Sequence, residues 1–233
     1  MKIEISIKRW KEAQEYERKY WGKVKETNSD FYLMKSLQMR KEIDNYVELT
    51  ESSKILQIGC GPEDVIHNWA EAEKYGIDPQ MDYYNQRKIL KYNGVTNIKG
   101  IGENLPFNDN YFDLIIINNV LDHCYNPKRV LEEANRCLKE NGIIYTETNV
   151  RSSILYPFLK MVWWTRISTA KGHPFIFTNI ILKDLIISSK FKLLKEGSVL
   201  SKLNFGIFMS LQKLAKYLLE SQYYFICKRN YYV

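Results

Sequence analysis

Residues 55–61 read Ile-Leu-Gln-Ile-Gly-Cys-Gly, an apolar run typical of a strand that leads directly into a Gly-X-Gly turn. A second short strand follows and ends in Tyr-Gly-Ile-Asp-Pro, whose acid is Asp78. In a doubly wound sheet, two such strand ends lie side by side at the carboxyl edge, where ligands bind. Glycines let the backbone approach a ligand closely, and the acid is placed to accept hydrogen bonds from both hydroxyls of a ribose. The pair therefore predicts a cofactor that contains adenosine.

Strand and helix patterns alternate on either side of this stretch. Helices with an apolar stripe are predicted at 7–26 and 30–48, before the first strand. Apolar runs bounded by turn signals predict strands at 54–58, 74–78, 96–100, 113–118, 142–149, 191–198 and 223–229. The segments between them predict helices at 63–73, 82–92, 127–140, 179–189 and 207–220. This alternation indicates an α/β fold, a Rossmann-like doubly wound sheet with right-handed crossovers.

The composition is that of a chain with an ample core, since 45% of the 233 residues are hydrophobic and 14% are aromatic. The cysteines never form a C-x-x-C pair, which argues against a zinc site and against a disulfide framework. The first ten residues are charged throughout and lack the apolar core of a signal peptide. No uncharged apolar run approaches the roughly 18 residues that span a bilayer. We therefore expect a soluble, cytoplasmic protein without a metal.

The net charge of +7 is unevenly distributed along the chain. Residues 51–150 hold 10 basic and 15 acidic residues, whereas residues 151–233 hold 13 basic and 3 acidic residues. Such asymmetry favours an anionic partner near the C-terminal third: a phosphorylated or nucleotide-linked acceptor, a membrane surface or nucleic acid. A solvated basic surface without a partner is the alternative interpretation.

The residues after the glycine turn distinguish between adenosine cofactors. Dinucleotide-binding loops follow G-x-G-x-x-G, in which the third glycine permits close helix packing beneath a pyrophosphate. The sixth position here is Asp64, and together with Glu63 it puts two carboxylates at the start of the next predicted helix. These carboxylates would repel a pyrophosphate at that helix end. S-adenosylmethionine carries a sulfonium, an ammonium and no phosphate, so the loop favours it over NAD.

Six stretches between residues 55 and 149 carry a family resemblance, and they occur in the family's order. They are Ile-Leu-Gln-Ile-Gly-Cys-Gly-Pro (55–62), Gly-Ile-Asp-Pro (76–79), Gly-Glu-Asn-Leu-Pro-Phe-Asn-Asp-Asn-Tyr-Phe-Asp-Leu-Ile (102–115), Asn-Asn-Val-Leu-Asp-His (118–123), Pro-Lys-Arg-Val-Leu-Glu-Glu (127–133) and Leu-Lys-Glu-Asn-Gly-Ile-Ile (138–144). This part of the chain resembles the class I S-adenosylmethionine-dependent methyltransferases, and within them the small-molecule subgroup of the ubiquinone/menaquinone-biosynthesis type (type 11). The resemblance implies a seven-stranded sheet whose last strand, at 223–229, is antiparallel. It also implies a methyltransferase domain at 51–233, preceded by a helical cap at 1–50 and carrying an insert or lid at about 151–178.

The resemblance also assigns cofactor-binding roles to residues of the matching motifs. Gly59 and Gly61 match the loop beneath the methionine portion, and Asp78 matches the acid that binds the ribose. Pro79 follows where the family packs an apolar side chain on adenine, and Asn118 matches the strand end whose carbonyl accepts from the methionine ammonium. The full predicted cofactor set is Gln57, Gly59, Cys60, Gly61, Asp78, Pro79, Ile101, Gly102, Glu103, Asn118 and Asn119.

Two motifs depart from the family pattern. Gln57 stands where the first motif usually has an acid, and Ile101 stands where the adenine-side motif usually has an aspartate. Gln57 is interpreted as a hydrogen-bonding partner of the glycine loop. Ile101 cannot accept a bond from the adenine amino group, so Glu103 or the backbone would have to do so. A missing bond of this kind costs on the order of 1 kcal/mol.

Two histidines are the candidates for acceptor chemistry. His123 follows the fourth strand, and His173 lies in Lys-Gly-His-Pro-Phe, after the fifth strand. A base that titrates near neutral pH suits methylation of oxygen, although each histidine also has a plain structural interpretation. The aromatic tract at 154–164 is left open as lid, core or contact with an anionic bilayer. The helix from Trp10 to Trp21 is expected to cover either the cofactor cleft or an interface.

The predicted function is methyl transfer from S-adenosylmethionine to a small acceptor, with O-methylation of an anionic, sugar- or lipid-linked metabolite favoured over carbon or nitrogen. Peripheral membrane contact is a possible addition, and nucleic acid is not expected as a partner. The place after the fourth strand reads Asn118-Asn119-Val120-Leu121, whereas enzymes that methylate the exocyclic amine of a base often show Asn/Asp-Pro-Pro-aromatic there. The alternatives are a non-catalytic methyltransferase-like subunit, a membrane-associated scaffold and an NAD-type enzyme.

Overall fold

The structure is a computed structural model that describes residues 4–24, 28–87, 94–164, 171–199 and 220–230. Its helices are α1 (Ile7–Lys23), α2 (Ser29–Ile43), α3 (Met81–Arg87), α4 (Pro127–Cys137), α5 (Tyr156–Trp164) and α6 (Asn179–Ser188). Its strands are β1 (Lys54–Ile58), β2 (Glu73–Asp78), β3 (Val95–Lys99), β4 (Phe112–Asn118), β5 (Leu138–Arg151), β6 (Phe191–Val199) and β7 (Glu220–Arg229).

All seven strands form one sheet in the order β3-β2-β1-β4-β5-β7-β6. Neighbours from β3 to β5 run parallel, whereas β7 is antiparallel to both β5 and β6. The predicted Rossmann-like sheet with an antiparallel last strand is therefore confirmed. Strand order reverses at β1, whose neighbours are β2 and β4, and this is the position at which ligands bind in open α/β sheets.

Each face of the sheet packs against its own apolar cluster. Along β4 the successive residues Leu114, Ile115, Ile116 and Ile117 are fully buried, and they alternate between the two clusters. A central parallel strand is covered on both faces, so its sequence is a continuous apolar run. At the carboxyl ends of β2 and β4, the apolar runs give way to the polar residues Asp78 and Asn118.

Helix ends follow local sequence signals. The Ser6 side chain accepts a hydrogen bond from the Arg9 amide at the start of α1, and Asn126 caps α4 in the same way, ahead of Pro127. The predicted helix at 127–140 ends at Cys137 because β5 begins at Leu138. On α2 the buried residues are Ser36, Met39 and Ile43, whereas Leu33 and Leu37 are exposed.

The predicted helix at 63–73 is wrong, since the chain there forms turns and bends. Side chains occupy the amide groups that would begin a helix: Gln57 Oε1 accepts from Val65 N at 2.9 Å, and Asp64 Oδ1 accepts from Ile66 N at 2.8 Å. Local bonds of this kind compete with helix formation. Val65, Ile66 and Trp69 are nevertheless fully buried, so their helix-like spacing reflects core packing.

Three further expectations concern regions that the description covers only in part. The predicted helix at 82–92 extends into residues 88–93, and the predicted helix at 207–220 falls almost wholly within 200–219; both ranges lie outside the described residues. The division into a cap at 1–50 and a domain at 51–233 stays a prediction. Among the described residues, no helix is both long and apolar enough to cross a membrane.

Candidate cofactor-binding site

A cavity of about 270 Å³ lies at the carboxyl edge of the sheet, where β1, β2 and β4 end. All eleven predicted cofactor residues line this cavity. They lie in the segments 57–61, 78–79, 101–103 and 118–119. The structure therefore brings the predicted set together around one space. Of the two predicted catalytic histidines, His123 lines the cavity, and His173 lies beside His123.

The glycine turn has a backbone geometry that favours glycine at two positions. Gly59 and Gly61 have φ angles of +67° and +63°, in the left-handed region. A Cβ atom on Gly59 would lie 2.3 Å from Cγ2 of Val120, whereas a Cβ atom on Gly61 would meet nothing within 4 Å. Gly59 is thus required for both its conformation and its packing, and Gly61 for its conformation alone.

Asp78 is buried at the end of β2 and is bonded to the backbone of the turn. Its Oδ2 atom accepts from Gly61 N at 3.0 Å, and its Oδ1 atom accepts from Gln80 N at 2.8 Å. Burial raises the pKa of Asp78 to about 6, against the lowering effect of these two bonds, and the negative charge of Glu17 adds to the rise. Each carboxylate oxygen has a second lone pair, so Asp78 keeps the capacity to bind hydroxyl donors.

Gln57 has the structural role that the sequence favoured. It is buried, and its Oε1 atom accepts from Val65 N, so it fixes the segment that follows the glycine turn. Glu63 of that segment is buried, lines the cavity and has an Oε2 atom without a hydrogen-bond partner among the described residues. The carboxylate predicted to disfavour a pyrophosphate thus lines the cavity, although it does not begin a helix.

On the opposite side of the cavity, residues 101–103 form a turn between β3 and β4. Ile101 forms an isolated bridge with Asn104, and the buried Glu103 accepts from Tyr125 N at 2.8 Å and from Asn126 N at 3.2 Å. Burial raises the pKa of Glu103 despite these bonds. Because the Oε1 atom of Glu103 already holds the chain before α4, a role toward adenine stays a prediction.

The end of β4 presents two asparagines to the same space. The Oδ1 atom of Asn118 is buried without a partner among the described residues. Asn119 has a φ angle of 56°, donates its amide to Glu147 O at 2.7 Å, and accepts from Asn149 Nδ2 at 2.9 Å. This left-handed residue turns the chain so that Val120 packs against Gly59.

Helix α1 contributes one face to the lining of the cavity, in agreement with the first of the two interpretations of its aromatic residues. Trp10, Gln14, Glu17 and Trp21 all line the cavity, and their spacing of four, three and four residues puts them on one helix face. Gln80 Nε2 donates to the main chain and side chain of Gln14, at 3.2 and 3.1 Å. The sequence analysis missed Gln14, Glu17 and Gln80, although the spacing along α1 was a usable signal.

A compact cluster of ionisable side chains adjoins the cavity beneath α1. His173 Nδ1 lies 2.8 Å from Asp122 Oδ2. His123 Nδ1 lies 3.1 Å from Gly172 O and 3.7 Å from Glu17 Oε1. The centres of the two imidazole rings are 4.2 Å apart. Burial raises the pKa of Asp122, but the two histidines outweigh it and hold that pKa at about 2. Burial lowers the pKa of His173, but the bond to Asp122 outweighs it and raises that pKa above its usual value. The sequence analysis missed Asp122, which stands next to His123 in the chain.

Comparison with known proteins gives a consistent result for this part of the chain. Residues 56–146 match the family described as "Methyltransferase domain". The chain is 40% identical over 82 residues to Uncharacterized protein MJ1123 of Methanocaldococcus jannaschii, covering 35% of this chain and 38% of that protein. It is 32% identical over 126 residues to demethylmenaquinone methyltransferase of Geobacillus stearothermophilus, covering 50% and 53% respectively. The chain thus spans about two fifths to half of the length of these relatives.

Solved structures show the same fold at low sequence identity. Geranyl diphosphate C-methyltransferase of Streptomyces coelicolor, in complex with Mg²⁺, geranyl diphosphate and S-adenosyl-L-homocysteine, superposes with a TM-score of 0.63 at 14% identity, over 84% of this chain and 79% of that one. This likeness shows the fold alone. Residues 56–146 are therefore similar to the methyltransferase domain family, and the sheet has the fold of this S-adenosylmethionine-dependent class of enzymes.

Proposed function

We propose that this protein transfers a methyl group from S-adenosylmethionine to an oxygen atom of a small acceptor, an anionic metabolite linked to a sugar or a lipid. The observation that carries the proposal is the cavity at the point where strand order reverses, with Asp78 bonded to the glycine turn on one side and His123 on the other. One space thus combines a polar cofactor cradle with a titratable side chain.

The unpartnered polar atoms of the cavity fit this cofactor. Glu63 Oε2, Gln80 Oε1 and Asn118 Oδ1 are buried acceptors without a partner among the described residues, and all three residues line the cavity. Buried acceptors require donors, and S-adenosylmethionine offers an ammonium, ribose hydroxyls and an adenine amino group. Asp78 would hold the ribose, the turn from Gly59 to Gly61 would hold the methionine portion, and the bound cofactor supplies an electrophilic methyl group.

For the acceptor, the chain supplies orientation, exclusion of water and a base. A neutral His123 whose Nδ1–H donates to Gly172 O keeps Nε2 as its proton-accepting nitrogen. Its neighbour His173 is oriented by Asp122. Helix α1 forms one side of the cavity, and alignment of the two reactants with water excluded is the main requirement of a displacement at carbon.

The anionic and lipid-linked character of the acceptor is supported by features outside the cavity. Residues 151–233 carry 13 basic and 3 acidic residues, whereas acids predominate among the charged residues of the cavity and Lys35 is paired with Glu147 at 2.7 Å. An anionic group would therefore bind toward the rim. On α5, Phe158 and Met161 are 61% and 65% exposed, and Ile154 before it is 90% exposed. Such exposed apolar side chains suit contact with a lipid chain or a bilayer surface.

The test is calorimetric titration of the purified protein with S-adenosylmethionine and with S-adenosylhomocysteine. Micromolar binding is expected, and it should be lost in Asp78→Ala. The matched control is Asp82→Ala, because Asp82 is an exposed acid four residues along, paired with Lys99. Methyl transfer is then measured with labelled cofactor on candidate acceptors that carry a free hydroxyl and an anionic group.

Two results would contradict the proposal. Absence of binding to either compound would favour a non-catalytic subunit, and saturable NAD binding in its place would favour an NAD-type enzyme. Cofactor binding with transfer only to amine or carbon acceptors would retain the methyltransferase activity and overturn the assignment of oxygen.

A further inference from the structure

We propose that Glu17, His123 and His173 form a binding site for one divalent transition-metal ion of the zinc type. One ligand atom from each residue lies within 4.8 Å of the other two. The three come from distant parts of the sequence: α1, the segment after β4, and the segment after α5. Two imidazoles and one carboxylate form a ligand set that binds transition metals with coordination positions left open for other groups.

The second contacts of both imidazoles support a metal site. Histidines that bind metals usually donate their other ring N–H to a carboxylate or a main-chain carbonyl, which fixes the ring and its tautomer. His173 has the buried carboxylate of Asp122 at 2.8 Å, and His123 has the carbonyl of Gly172 at 3.1 Å. Asp122 is itself fixed by Thr148, whose hydroxyl donates to Oδ1 at 3.2 Å.

The geometry requires only a small contraction on binding. Ligand atoms on one zinc ion lie about 3–4 Å apart because each bond is about 2.1 Å long, so the cluster must close by about 1 Å. Glu17 can supply this movement because it is the longest of the three side chains and projects from a covering helix. Its Oε1 atom already lies beside the His123 ring, 3.7 Å from Nδ1; because Nδ1 bonds to Gly172 O, Nε2 is the nitrogen left for the metal.

The charges of the cluster also favour a cation. Glu17 and Asp122 bring two negative charges against two imidazoles, which are neutral when they bind a metal. The positive charge of Arg151 also acts on His173. A divalent ion at this partly buried position would bring positive charge to both carboxylates. Imidazole and carboxylate ligands suit Zn²⁺ or Co²⁺ better than Mg²⁺, which prefers oxygen.

The spacing of cysteines that argued against zinc has no bearing on this site, since the three residues of the cluster offer a carboxylate and two imidazoles and no sulfur atom takes part. Glu17 and His123 line the cavity, so an open coordination position would face the acceptor. There the ion would bind an acceptor hydroxyl and lower its pKa, and His123 would then be a metal ligand in place of a base; this consequence rests on the proposed function, whereas metal binding itself does not.

The experiment uses untagged protein freed of metal with a chelator. Calorimetry with Zn²⁺ and visible absorption of bound Co²⁺ should both report one ion per chain. Glu17→Gln and His173→Gln should each weaken binding at least tenfold. Their matched controls are Glu15→Gln, on the same helix beside Arg18, and His67→Gln, the one histidine outside the cluster; both should bind as tightly as the unmodified protein.

Binding of S-adenosylhomocysteine is measured on the same samples, so that failure of the metal site is separable from failure of the cofactor site. Metal binding without cofactor binding would support the inference and contradict the proposed function. Absence of stoichiometric binding, or binding that is equal in the cluster variants and their controls, would overturn the inference. Glu17 is only half-buried, so Glu17→Gln is expected to fold. If His173→Gln does not fold, the metal affinity of Glu17→Gln alone decides the question.

Discussion

Gly59 and Gly61 are a matched pair of residues for testing what the turn after β1 requires. Gly61→Ala adds only backbone strain, so we expect a loss of about 1–2 kcal/mol in the free energy of unfolding. Gly59→Ala adds the same strain and drives a Cβ atom into Val120, so we expect a total loss of about 2–5 kcal/mol. Urea unfolding of both variants measures the difference.

The double variant Gly59→Ala/Val120→Ala is the control for the packing part of this argument. Removing the two Cγ atoms of Val120 relieves the collision but leaves the left-handed φ angle of residue 59 unchanged. The double variant should therefore lose less free energy of unfolding than the sum of the losses in the two single variants. Strict additivity of the two substitutions would show that the collision does not determine the cost.

Asp78 should make cofactor binding depend on pH. Its pKa of about 6 in the free protein results mainly from burial, and ribose hydroxyls bind best to the ionised carboxylate. Below pH 6 the proton must be released when the cofactor binds, so the affinity should fall by up to tenfold for each further pH unit. Titrations with S-adenosylhomocysteine between pH 5 and pH 8 measure the slope.

The control for the pH profile is Asp78→Asn, which cannot ionise. It should bind more weakly at neutral pH and should lose the inflection near pH 6. If the inflection persists in Asp78→Asn, another group such as Glu103, whose pKa burial also raises, controls the profile.

The residues of the site differ in how far the sequence could reveal them. Gly59, Gly61 and Asp78 stand at strand ends within a recognisable motif, so their common location was predictable. The partner of His173 was not, because Asp122 lies 51 positions away and the bond depends on how the segment after α5 returns to the sheet. Glu17 and Gln80 depend on the docking of α1, which no local pattern specifies.

Among the elements, strands were predicted more accurately than the helices between them. The first strand agrees at both ends, because β1 is a buried apolar run bounded by Ser53 and the glycine turn. The helix expected at 63–73 has apolar residues at helical spacing and still does not form, because Gln57 and Asp64 satisfy its first amides. Periodicity reports which residues are buried, and side-chain bonds to the backbone decide the local conformation.

Helix α1 should become more protected when the cofactor binds. Its face toward the cavity contacts the segment after β2 through Gln14 and Gln80, and Trp21 packs against Tyr84 at its far end. A ligand in the cavity adds contacts to this face and raises the free energy of local opening. Amide hydrogen exchange of residues 7–23 should therefore slow at least severalfold on adding S-adenosylhomocysteine.

Helix α6 is the internal reference for this exchange experiment. It packs against β6 and contributes no residue to the cavity, so its exchange should not change. Unchanged exchange in α1 with saturated cofactor would contradict the covering role of this helix.

At the scale of the whole molecule, the exposed large apolar residues fall into two groups, one in residues 7–46 and one in the basic part of the sequence, residues 154–187. The acidic segment 51–150 forms the cofactor half of the sheet, and the basic segment 151–233 includes α5 with its exposed apolar residues. Basic residues attract an anionic surface over a distance that depends on ionic strength, whereas apolar side chains act only on contact. The combination favours weak, salt-sensitive attachment, consistent with an acceptor that is linked to lipid.

We therefore expect the protein to co-sediment with vesicles that contain anionic lipid, and to bind less as the salt concentration rises. Phe158→Ser/Met161→Ser should lower the bound fraction severalfold, because each side chain is more than half exposed and would enter the interface. The matched control is Met34→Ser on α2, since Met34 and Met161 are both 65% exposed. Equal losses in the control and in the α5 variant would show that binding reflects general surface hydrophobicity. Undiminished binding in the α5 variant would assign the contact to the basic residues alone.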